Sequence, residues 1–148
     1  MAKKGFIMKF INSVFDKEKG TSEVTMEHMG QYFVGKARLH PDDKDKISEY
    51  AGCSYAEARA TIAALKYERK MAKEKSENIR KFIKACECYK NWESASPAAK
   101  VAYRQLNIYI KRVNHLTEMI NDMMFALDKS IWKRDVTIKA MRKASQKS

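Results

Sequence analysis

Residues 106–132 read LNIYIKRVNHLTEMINDMMFALDKSIW. Between Arg112 and Asp128 only Glu118 and Asp122 carry a formal charge, in a chain whose formal net charge is +12. Leu106, Ile110, Val113, Thr117, Ile120, Met124, Leu127 and Ile131 alternate steps of four and three, and the series continues through Arg134, Ile138 and Met141. That spacing is the heptad repeat that keeps one seam of a helix turned toward a partner helix. Tyr109, Leu116 and Met123 run beside the seam, so the apolar face is wider than a two-stranded zipper requires. Charge is scarce here because a buried, unpaired charge is strongly destabilising.

Working outward, the preceding segment repeats the pattern in a weaker form: Ala58, Ile62, Leu65, Arg69, Ala72, Ser76, Ile79, Ile83 and Cys86. The NWESASP loop separates the two segments, with Ser96 as N-cap and Pro97 at the first helical position, where its missing N–H is not needed. With only five Gly and two Pro in 148 residues, helix is expected nearly throughout. The expected fold is all-α, a long antiparallel helical hairpin over 54–148 with smaller helices from 1–53 packed on its wide face, in a single structural domain.

The N-terminal third is assigned to those covering helices. Phe6, Phe10 and Val14 stand at i, i+4 and i+8, and Lys19-Gly20 resembles a helical C-terminal stop. A second helix carries Val24, Met26, Met29, Phe33 and Val34, and a third opens at Pro41 and closes at Gly52. Ser54 and Glu57 match a capping box for the long helix that follows, expected over roughly 55–91. The same stretch has the outline of a helix-turn-helix, with Ser54, Tyr55 and Arg59 toward base edges. The acidic run Asp42, Asp43, Asp45 and the single cation of the reading helix favour a plain helical corner instead.

Thirty Lys plus Arg against eighteen Asp plus Glu point to a polyanionic partner. Lys66, Arg69, Lys70, Lys73, Arg80, Lys81 and Lys84 form one row, diluted by Glu68, Glu74 and Glu77. Lys129, Lys133, Arg134, Lys139, Arg142, Lys143 and Lys147 form a second, opposed after Met124 only by Asp128 and Asp135, and this C-terminal row is the preferred phosphate-binding site. The leading reading is a non-enzymatic protein that associates with nucleic acid through phosphates, without base readout. The alternative is a structural or adaptor subunit of a multi-subunit particle, such as a virus or phage component. Its assembly interface would be Leu106, Ile110, Val113, Ile120, Met124, Leu127 and Ile131, used for self-association or contact with other subunits. A membrane-surface role for the N-terminal segment is a third reading, ranked below docking on the bundle.

No cofactor or metal is expected. His28, His40 and His115 are scattered, Cys86 and Cys88 fall on different sides of a helix, and Glu118 with Asp122 reads as a solvated edge. No phosphate-cradling glycine loop or nucleophile elbow occurs. Three cysteines without framework spacing, and no run of about 20 apolar residues, lead to the expectation of a reducing, cytoplasmic setting.

Overall fold

The computed structural model describes residues 8–38, 48–86 and 97–146. It overturns the all-α expectation: the N-terminal third is a three-stranded antiparallel sheet, followed by two long helices. The strands are β1 (Lys9–Asp16), β2 (Thr21–His28) and β3 (Gln31–Arg38), in spatial order β1-β2-β3; the helices are α1 (Ser48–Ala85) and α2 (Pro97–Gln146). Two compact units result, one from Met1–Ala64 with Ile120–Ser148, the other Leu65–Met119.

Period-two alternation builds the sheet. Ser22, Val24, Met26 and His28 of β2 are buried, while Glu23 is exposed and Thr25 and Glu27 are half-buried on the other face. The first hairpin closes through Asp16, whose Oδ1 accepts from the Glu18 and Lys19 amides at 3.0 and 3.1 Å. Its carbonyl accepts from Gly20 at 2.8 Å, with Gly20 left-handed at φ 65°. Glycine takes that conformation at a helix C-terminus and in a hairpin loop alike, so Lys19-Gly20 marks a turn here and not a helical stop. The second hairpin turns on two residues, Met29 at φ 54° and Gly30 at φ 75°. Both are left-handed, as the tight turn that matches strand twist demands.

One face of the sheet packs on the start of α1. Val24, Met26 and Ala37 form a cluster with Ala56 and Ala60, flanked by Met8 and Tyr55. The approach is close at Gly35, which pairs with Val24 in the ladder. A Cβ there would overlap the Ala56 carbonyl oxygen and lie 2.5 Å from the Ala60 nitrogen. The helix can sit this near because Ala56 and Ala60 present only methyl groups. Arg59 ties it further, donating from Nη1 to the Lys36 carbonyl at 2.6 Å.

Three finer expectations change with the architecture. Residues 9–16 are strand, so no amphipathic helix forms there to dock on a bundle or lie on a membrane surface. Gly52 and Ser54 lie inside α1, which removes both the capping box and the turn of a helix-turn-helix. Ser54 and Tyr55 are half-buried, and Tyr55 Oη hydrogen-bonds Ser130 Oγ at 3.3 Å, so they are not offered to base edges. The start of a third helix at Pro41 lies outside the described residues. α2 does begin at Pro97, with proline at the first helical position as the loop sequence implies.

Two substitutions test this packing by urea denaturation followed by circular dichroism. Gly35→Ala is expected to destabilise the fold by about 3 kcal/mol, because the added methyl meets backbone with no freedom to move aside. Met29→Asn is expected to stabilise it by roughly 0.5–1 kcal/mol, since Asn tolerates the left-handed region that Met resists.

Candidate nucleic-acid interface

In the unit Leu65–Met119, α1 and α2 run in opposite chain directions: Arg69 Nη1 donates to Thr117 Oγ1 at 3.4 Å, and Lys75 Nζ stands 5.6 Å from the Tyr109 ring centroid. Between them Glu68 is 4% exposed, with Arg112 Nη2 donating to its Oε2 at 2.5 Å. Buried glutamate is rare unless a cation compensates it, and Arg112 supplies that compensation. The pair therefore withdraws one acidic group from the surface of α1.

Every position of the weaker α1 series from Ala58 to Cys86 is buried or half-buried. That side of the helix is turned away from solvent, and the charged residues lie on the side next to it. Lys66, Lys70, Lys73, Arg80, Lys81 and Lys84 are all exposed. At 100° per residue they occupy an arc of about 100°, and from first to last they span about 27 Å. Glu77 lies within the arc and Glu74 at its margin, both exposed. Arg69 leaves the row, because its side chain is engaged with Thr117. A helix face of this kind offers point charges along a line, which suits a chain of phosphates and carries no donor–acceptor code for bases.

The C-terminal row divides. Lys129, Lys133, Lys139 and Lys143 are exposed on α2 and fall within an arc of about 120°. Arg134 and Arg142 occupy register positions off that arc, and Lys147 lies outside the described residues. Asp128, also exposed, borders the lysines. Four cations are thus brought onto one face of α2, against six on α1.

Of the seam residues, Leu106 and Ile120 are buried, Ile110, Val113, Leu127 and Ile131 half-buried, and Met124 exposed. Leu116 of the parallel stripe is fully buried, so the covered face of α2 centres between the two stripes. Phe125 is 70% exposed. His115, Glu118 and Asp122 are exposed, and Cys53 and Cys86 are half-buried. Among the described residues no cluster of His, Cys, Asp and Glu could hold a metal ion, and no helix is long and apolar enough to cross a membrane.

By spacing alone, Glu68 reads as a solvated diluent of the α1 row. Its withdrawal depends on Arg112, 44 residues away, and no local pattern announces that pairing. No protein-family model, curated protein or solved structure matches the chain.

The ion pair can be tested by a double-mutant cycle. Arg112→Met alone is expected to cost about 3 kcal/mol by removing the guanidinium that donates to the buried Glu68 carboxylate, and Glu68→Leu with Arg112→Met together is expected to cost less than either change alone. Additive losses in urea midpoints would contradict this.

Proposed function

We propose that the chain is a non-enzymatic protein that binds the phosphate backbone of nucleic acid, with the cation row of α1 as its main contact and the lysines of α2 as a second. The supporting observation is the exposure of Lys66, Lys70, Lys73, Arg80, Lys81 and Lys84 on one face while Glu68 is held inside by Arg112. Duplex DNA presents a negative charge every 3.4 Å or so along each strand, so a row of about 27 Å runs beside about eight phosphates of one strand. Binding would draw its free energy from counterion release and tolerate any sequence.

We place the main contact on the α1 row and keep the C-terminal row that spacing in the sequence favours as the second. The six exposed cations of the α1 row share an arc of about 100°. Lys129, Lys133, Lys139 and Lys143 form an auxiliary face, opposed by Asp128.

The test is a salt titration of duplex binding. Replacing Lys66, Lys70, Lys73 and Lys81 by Gln is expected to reduce the slope of log affinity against log salt by roughly 3–4, at about 0.9 for each phosphate left unneutralised. The same change at Lys129, Lys133, Lys139 and Lys143 is expected to have the smaller effect. An α1 variant with the slope and low-salt affinity of the unaltered chain would refute the proposal.

A further inference from the structure

β1 is an edge strand: β2 pairs with one side of it, and among the described residues no strand pairs with the other. Edge strands are ordinarily guarded by charge in their interior. β3, the opposite edge, is guarded in this way by Lys36. β1 carries no charge from Phe10 to Phe15, and Phe10, Ile11 and Val14 are exposed large apolar side chains.

KFINSVFD is complementary to itself when reversed. Its ends carry opposite charges, Lys9 and Asp16; Phe10 and Phe15 follow inward, then Ile11 and Val14. In an unbroken strand of eight residues this would be useless, because first and last side chains would point to opposite faces. β1 is not unbroken. Lys9 pairs with Glu27 and Phe10 with Met26, but Thr25 pairs with Asn12, so Ile11 is an extra residue in the ladder. The bulge returns Lys9, Asn12, Val14 and Asp16 to the open face and Phe10, Ser13 and Phe15 to the face that bears the core.

We infer that the free edge of β1 pairs antiparallel with β1 of a second copy, joining two three-stranded sheets into one of six strands about a two-fold axis at Ser13. In that register Lys9 faces Asp16 of the second copy at both ends and Phe10 faces Phe15. Ile11 and Asn12 together oppose Val14, two residues against one, and Ser13 meets Ser13. Every pair lies on a common face, and each bulge keeps the two-against-one count it already has against β2. The same patch serves both copies, as a closed two-fold contact requires. The cross-strand charges set direction and register, and the exposed Phe10, Ile11 and Val14 supply apolar area.

The experiment is sedimentation of the full chain with site-directed cross-linking. The unaltered chain is expected to sediment as a dimer. Ser13→Cys is expected to give a covalent dimer with a short bis-maleimide, above the background of the unaltered chain, because facing residues in a ladder lie about 5 Å apart. Glu18→Cys, in the loop at the far end of the hairpin, is expected to give none. Lys9→Asp, an exposed position, sets like charges against Asp16 and is expected to weaken the dimer roughly tenfold at low salt, less at high salt. A monomer across the concentration range overturns the inference. So does a dimer that fails to cross-link in the Ser13→Cys variant, or one indifferent to Lys9→Asp, since either would place the contact elsewhere.

Discussion

One stripe on α1 organises the protein. Ala56, Ala60, Ala64, Glu68 and Ala72 follow one another at four-residue intervals, and all five are buried. Where the stripe bears alanine opposite the sheet, the absence of side chain lets Gly35 and Val24 come against the helix backbone. Where it bears glutamate, the carboxylate is enclosed and must find Arg112. A larger residue at Ala56 or Ala60 would push the helix from the sheet, and a neutral one at Glu68 would remove the carboxylate to which Arg112 donates. One compact unit takes Ala56, Ala60 and Ala64 from this stripe, and the other takes Glu68 and Ala72.

The helical half of this architecture was legible because heptad spacing survives in the sequence from Leu106 to Ile131, and Pro97 marks where it starts. The sheet was not, for an identifiable reason. The bulge at Ile11 breaks the period-two alternation of β1, leaving Phe10, Ile11, Val14 and Phe15 at intervals that imitate a helix. In β2 the alternation of Val24, Met26 and His28 with Glu23, Thr25 and Glu27 was present to be read. Its turn obscured it: the central pair is Met29-Gly30 and lacks the Asn or Asp that usually announces a two-residue hairpin. The alanines of the α1 stripe also say little about packing, since alanine favours helix whether buried or exposed.

The cation rows were visible as spacing alone, yet their relative weight was not. Lys66 to Lys84 looks diluted along the chain by Glu68, Glu74 and Glu77; of these Glu68 is turned inward to Arg112, while Glu74 and Glu77 stay exposed. The C-terminal row looks purer because its acidic neighbours are few in sequence. Its described lysines, Lys129, Lys133, Lys139 and Lys143, share an arc of about 120° bordered by Asp128. Long-range partners decide which charges remain outside, and a single sequence does not display them.

The glycine at position 35 has a further effect on how the chain reaches this state. Sliding β3 by one residue against β2 would bring Val34 or Lys36 beneath the helix, and neither can be accommodated where even a methyl group collides. Misaligned hairpins are therefore barred from docking and stay open to realign. The close approach thus leaves room beneath the helix for one alignment of the strands alone.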